Sequence, residues 1–252
     1  MMPTDRRAAL RAGAAAALAG PLATACGTDR PAPRPQRPAP APLAAPAPRR
    51  YPGRPAEITT GPRDRPRVAL TFHGQGDPAT ARALLDHAER AGARLTVLAV
   101  GDWLDRHPGM ARRVLDGGHD LGNHTQRHLD ITAMTEAEAH AEIEACARRL
   151  RRLTGSIGTW FRPSRARHAG EAVRRAAQRA GYPHVLSYDV DSLDFTSPGP
   201  AAVVANVTRE IRNGSVVSLH FGYPDTVAAL PLLLADLDRR GLSAVTTTEL
   251  LT

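Results

Sequence analysis

From Val68 onward, apolar runs and amphipathic stretches take turns along the chain. Residues 67–72 (R-V-A-L-T-F) form an apolar run bounded by polar and glycine-rich residues, which predicts a buried strand. A helix follows over 78–91, a strand over 95–100, a helix over 108–117 and a short strand near His119–Gly122. Strong helix formers fill 135–153. Further strands are predicted at 158–161, 184–189, 215–219 and 243–246, with helices at 169–180, 200–212 and 226–240. About seven strand–helix repeats with short connections imply a parallel sheet covered by helices.

The polar positions choose between an open doubly wound sheet and a closed barrel. Polar clusters stand at the C-terminal ends of the first (His73), third (His124), fourth (Arg162), fifth (Asp191) and sixth (His220) predicted strands. Strand ends that far apart in order converge most easily in a barrel, where active sites lie on that face. The predicted fold is α/β: a distorted (β/α) barrel of about seven strands over residues 67–252.

Charge separates this domain from what precedes it. The whole formal net charge of +8 lies in residues 1–67, and the rest of the chain is neutral overall. The basic balance is therefore no footprint of a nucleic-acid-binding domain. Residues 1–26 read as an export signal: Arg6 and Arg7 precede an alanine-rich run, the layout of the twin-arginine route. The run is too short and too weakly apolar to span a membrane. It ends A-T-A-C-G, which resembles a lipobox with Cys26 as the lipidated residue, although Leu22 stands one place further upstream than usual. Ordinary cleavage after Ala25 is the other reading. Residues 27–66, rich in proline, alanine and arginine, read as a disordered, semi-stiff linker. These signals place the protein outside the cytoplasm, either on the outer face of the cell membrane through a lipid anchor or secreted. Cys146, on a predicted helix among alanines, reads as a buried small residue.

Residues 117–128 (G-G-H-D-L-G-N-H-T-Q-R-H) hold the most informative chemistry. His124 and His128 are spaced i, i+4, so on a helical turn both imidazoles face one way, as two ligands of a zinc-type ion would. His220 ends an apolar strand. The run D-V-D-S-L-D-F (189–195) places acids beside it, and Asp191 and His220 form a plausible acid–histidine couple. In that reading Asp194 is left to cap a helix or sit in a solvated loop. Arg162, held before Pro163, is placed to pair with a carboxylate or touch substrate.

These motifs together resemble the polysaccharide deacetylases of carbohydrate esterase family four. The resemblance covers roughly 67–250 and rests on L-T-F (70–72), V-G-D-W-L-D-R-H-P (100–108), G-H-D-L-G-N-H-T-Q-R-H-L-D-I-T (118–132), F-R-P (161–163), D-V-D-S-L-D-F and S-L-H (218–220), all in family order. It implies a divalent metal, commonly zinc, that polarises the carbonyl of an N-acetylated sugar and activates water. It also implies His124 and His128 as ligands, His220 as the acid, Asp191 as its partner and Arg162 as the residue that orients the base. The implied partner is an acetylated polysaccharide or peptidoglycan.

The first motif departs most from the family. T-F-D-D-G, which supplies base and third ligand, is replaced here by T-F-H-G-Q-G-D (71–77). Phe195 replaces a tryptophan, and S-R-A (164–166) replaces P-Y-G. Three readings follow. His73 becomes the third ligand, with Asp77 or a carboxylate near Asp191 as base; or His73 is the base and Asp77 folds back as ligand; or the site binds metal or sugar without turnover. The first is the expectation carried forward.

Overall fold

The computed structural model describes residues 45–252. The export signal, Cys26 and the linker up to residue 44 lie outside the described residues.

The described chain starts where the sequence predicts a spacer, yet residues 45–66 are packed. Ala45 and Ile58 are buried. The Tyr51 ring stacks on Trp160, with centroids 5.5 Å apart and planes 10° from parallel. Its backbone N–H donates to Nε2 of His184, and His184 Nδ1 donates to the Pro55 carbonyl. Strand β1 (Glu57–Ile58) pairs in parallel with β5 (Val185–Leu186). The linker reading therefore fails over 45–66. Proline and alanine dominate the composition there, but a few apolar side chains and the paired backbone of β1 are enough to dock it.

Strand β2 (Arg67–Gly74) is buried from Val68 onward, as a central parallel strand covered on both faces must be. It pairs in parallel with β3 (Thr96–Ala99) on one side and β7 (Val216–His220) on the other. The sheet continues from β3 to β4 (Asp120–Asn123) and from β7 to β6 (Val190–Asp191). Strand β8 (Ser243–Ala244) pairs with the first residues of β2. Phe161 bridges Asn123 at the end of β4 to Val185 in β5, and Thr60 bridges Ser215 just before β7. The named strands all pair in parallel, and single bridges, parallel at Phe161 and antiparallel at Thr60, link the ends, an arrangement consistent with a distorted (β/α) barrel.

Helices fill the connections: α1 (Pro78–Arg90), α2 (Gly101–Arg106), α3 (Gly109–Asp116), α4 (Glu136–Thr154), α5 (Glu171–Arg179), α6 (Pro200–Glu210), α7 (Pro224–Arg239) and α8 (Thr247–Leu250). Their starts are written in the sequence. Asp77 caps α1 ahead of Pro78, and Thr135 with Glu138 forms a reciprocal capping box on α4. Gly155 ends α4 in the left-handed region at φ 78°. One core joins Leu70, Phe72, Val97 and Leu219 of the sheet to Leu84 and Leu85 of α1 and Leu230 and Leu233 of α7. A second packs Ile143, Phe161, Val173 and Tyr182 beneath α4 and α5.

Two predicted strands are altered. The one at 158–161 is reduced to the Phe161 bridge, between Gly158 at φ 84° and Pro163. The one at 184–189 is split into β5 and β6. Helix α2 was not expected, because a six-residue helix with no side-chain cap carries little periodic signal.

Candidate metal centre and its cleft

The parallel register sets His73 of β2 directly opposite His220 of β7. Their ring centroids lie 4.2 Å apart. The His73 ring meets His124 edge-on at 4.4 Å, and His124 lies 4.8 Å from His128. His73, His124 and His128 can each offer a nitrogen, and these three atoms lie within 4.8 Å of one another.

The histidine pair does not sit on a helical turn. Residues after β4 form a loop in which Thr125 and His128 have φ of 67° and 56°. Side chains impose this path. Asn123 Oδ1 accepts from Thr125 N–H at 2.8 Å, while its amide donates to the Ile143 carbonyl and Tyr182 hydroxyl. Arg127 donates through backbone and guanidinium to the carboxylate of buried Glu142. Thr125 Oγ accepts from His128 N–H. The i, i+4 spacing brings the rings together by a different route from the one predicted.

His124 is the best-defined ligand candidate. Its Nδ1–H donates to the Arg162 carbonyl at 3.0 Å, which leaves Nε2 with a lone pair. That Nε2 is buried without a hydrogen-bond partner. Burial, and then the neighbouring His128, push the His124 pKa well below the usual histidine range. Burial, with His124 and His220 next, does the same to His73. His128 is lowered to about 4 by burial, then by Arg165 and His220. Three neutral imidazoles with convergent nitrogens suit a zinc-type ion. His73 Nε2 also lies 3.2 Å from Ser218 Oγ, which steadies the ring.

His220 has a different acid partner from the one predicted. Its Nδ1 lies 2.7 Å from Asp194 Oδ1, and Asp194 Oδ2 accepts from the His220 backbone N–H and from Thr226 Oγ. Asp194 is fully buried. Asp191 instead accepts from the Tyr188 hydroxyl and Leu193 N–H. The Asp191–His220 couple is therefore corrected to Asp194–His220. Leu193, at φ 54°, starts the short 3-10 turn Asp194–Thr196 and swings the second acid inward. No glycine announces that turn, so the run of acids alone did not choose between them.

Asp77 is outside the cluster. It is exposed and caps α1, accepting from Ala79 N–H. The reading in which it folds back as a ligand does not hold. Gly74, at the family's ligand position, has no room for a side chain. A Cβ there would lie 2.9 Å from Val97 Cγ1 and 3.0 Å from the Ala99 Cα.

Arg162 is fully buried. Its Nε and Nη2 donate to the Leu186 and Ser187 carbonyls, while Nη1 has no partner. Burial lowers its pKa to about 10, which leaves it cationic at neutral pH. A cleft of about 350 Å³ opens over the histidines, lined by Gln75, Arg165, Arg167, Asp191, Phe195 and Tyr223 among others. Phe195 is exposed, and its ring lies 5.5 Å from that of His220. Of these lining residues, Arg167 and Tyr223 gave no signal in the sequence.

Residues 60–185 match the family model described as polysaccharide deacetylase. The chain is 32% identical over 196 residues to a peptidoglycan-N-acetylglucosamine deacetylase of Bacillus cereus, covering 73% of this chain and 87% of that protein. The chain belongs to the polysaccharide deacetylase family. A chitooligosaccharide deacetylase of Bradyrhizobium is 30% identical over 197 residues, covering 69% of this chain and 85% of that relative. Among solved structures, a CE4 family pseudoenzyme from Bacillus anthracis superposes with a TM-score of 0.74 at 23% identity, covering 79% of this chain and 70% of that one. Membership of the polysaccharide deacetylase family accounts for the order of the motifs.

Proposed function

We propose that this chain is a metal-dependent deacetylase of acetylated cell-envelope glycans, working from a three-histidine centre. The observation that carries the proposal is the convergence of His73, His124 and His128 around a buried, unpartnered His124 nitrogen. The similarity to amide-cleaving relatives supports the reaction class. His73, His124 and His128 would hold the ion, which when bound supplies a Lewis acid for the acyl carbonyl and acidifies water.

The remaining work falls to the chain's own groups. Asp194 fixes His220 through Nδ1, leaving Nε2 to carry a proton to the departing nitrogen. Asp191 is the carboxylate that lines the cleft and takes the place of the missing base. The cationic Arg162 lies near enough to Asp191 to sense its charge. Phe195 and Tyr223 offer flat apolar faces to a sugar ring. The export signal and Cys26 would put this chemistry on the outer face of the membrane. Among the described residues, no helix is long and apolar enough to cross a membrane.

The test is acetate release by the metal-loaded chain from acetylated chitooligosaccharide and from peptidoglycan, beside a His220→Ala control. Release well above the control is expected. Release no greater than the control favours the second reading, a glycan- or metal-binding member without turnover. That reading rests on one observation: neither first-motif acid is present, and His73 and Gly74 stand in their places.

A further inference from the structure

Arg165 stands out in the cleft because nothing in the described protein engages it. It lines the opening beside His128, is exposed, and makes no hydrogen bond or ion pair among the described residues. Its charge is felt by His128 on one side and by Asp130 on the other. The Asp130 carboxylate is already engaged with the N–H and hydroxyl of Thr132.

The backbone under Arg165 is held for presentation. Its φ is 54°, a conformation that arginine rarely adopts. Hydrogen bonds anchor the chain on either side of it: Ser164 Oγ donates to the Leu129 carbonyl, and Ser187 Oγ donates to the Arg167 carbonyl. Two residues on, Arg167 is also exposed and lines the same cleft. Its guanidinium lies 5.0 Å from the Tyr188 ring centroid and donates to the Tyr188 and Asp189 carbonyls. Carbonyl contacts leave its positive charge unneutralised. The opposing acid in the cleft is Asp191, and its carboxylate is tied to Tyr188 and Leu193. The mouth is therefore cationic on one wall, and a bound divalent ion adds to that sign.

We infer that Arg165, supported by Arg167, selects an acetylated sugar that carries a carboxylate, and that this chain discriminates against neutral acetylated sugars. The inference rests on the deacetylase reading for the acetyl group but on separate residues for the anion. A guanidinium fork pairs well with a carboxylate. Placed beside His128, it would set the substituent's charge close to the acetamido group under attack.

The test uses the metal-loaded full chain and two probes, one with the carboxylate and one with it neutralised: the disaccharide of N-acetylglucosamine and N-acetylmuramic acid, and its methyl ester. Calorimetry gives their dissociation constants. The acid is expected to bind about tenfold more tightly than the ester, with the gap narrowing as salt rises. Arg165→Asn removes the charge while tolerating the positive φ, and it should erase the preference. Arg152→Gln, on the exposed face of α4, should keep it. Equal binding of acid and ester by the wild type overturns the inference. So does a preference that survives in Arg165→Asn, or one lost equally in Arg152→Gln. Acetate release followed in parallel separates the two ideas. Preference for the acid without release removes the deacetylase reading alone, whereas release without preference removes only this one.

Discussion

Two histidines bracket strand β4, His119 just before it and His124 just after, and both are buried. At the near end His119 has both nitrogens engaged: Nδ1 accepts from Leu95 N–H at 3.0 Å, and Nε2 lies 3.2 Å from Glu89 Oε1. Beside it, Asp120 accepts from Trp160 Nε1 and from the N–H and hydroxyl of Thr248. At the far end His124 keeps one nitrogen satisfied and one bare, and Arg162 nearby keeps a bare Nη1. The two ends teach how a buried polar group should be read. One whose atoms are all partnered holds the fold together, whereas one with an orphaned atom aimed among similar groups is the candidate for a ligand.

The sharpest way to break this contrast is to remove each histidine. His124→Ala should lose at least about a hundredfold in zinc affinity, because a ligand and not merely its support is gone. His119→Ala should retain zinc, read by metal content after dialysis. It should instead lose about 1–3 kcal/mol of stability in denaturant titration, the cost of leaving Leu95 N–H unpaired. If His119→Ala sheds metal as fully as His124→Ala, the division between the two ends is wrong.

Next in size is the buried acid beside His220. Asp194→Asn should slow acetate release by about a hundredfold while leaving metal content unchanged. Asp191→Asn keeps the His220 geometry and isolates the proposed base. A variant that leaves the rate intact would remove Asp191 from the chemistry.

Acid distinguishes the two ends less dramatically. In metal-free protein, His128 titrates near 4 when folded, against about 6.5 unfolded. The unfolded chain then binds more protons across that window. Stability is full above about pH 6.5 and falls progressively as pH drops towards 4, with His73 and His124, also depressed by burial, extending the loss lower. Zinc should raise the melting temperature by a similar amount at pH 7 and at pH 5, and that gain should fall away only near pH 4, where the folded histidines take up protons. A zinc gain already lost between pH 7 and pH 5 would place the sensitive groups elsewhere. The smallest expected effect concerns Cys146. Buried, and with its thiol pushed up to about 12 by burial, it should resist alkylation in the native state and react after unfolding. Rapid labelling of Cys146 in the folded chain, located by peptide mapping to separate it from Cys26, would contradict the packing described for α4.

Much of this was legible because strands here are short apolar runs and helices carry explicit caps, as at Asp77 and Thr135. The parallel α/β reading and the residues His73, Arg162 and His220 were legible at strand ends, and His124 and His128 through their spacing and the resemblance of the motif around them; the structure brings all five to one end of the sheet. What stayed hidden was decided by tertiary partners. Tyr51 and Ile58 look like residues of a spacer until Trp160 and β5 meet them. Asp191 and Asp194 differ by three positions, and only the left-handed Leu193 decides which reaches His220. Thr125 and His128 adopt left-handed backbone without glycine, held by Asn123, so spacing implied a helix where a loop stands.

Gly74 has a consequence for any attempt to rebuild an acidic first motif. Val97 and Ala99 of β3 crowd the space that a side chain at 74 would need. An aspartate placed there requires β3 to give way, so installing the missing acid takes more than one substitution at that position.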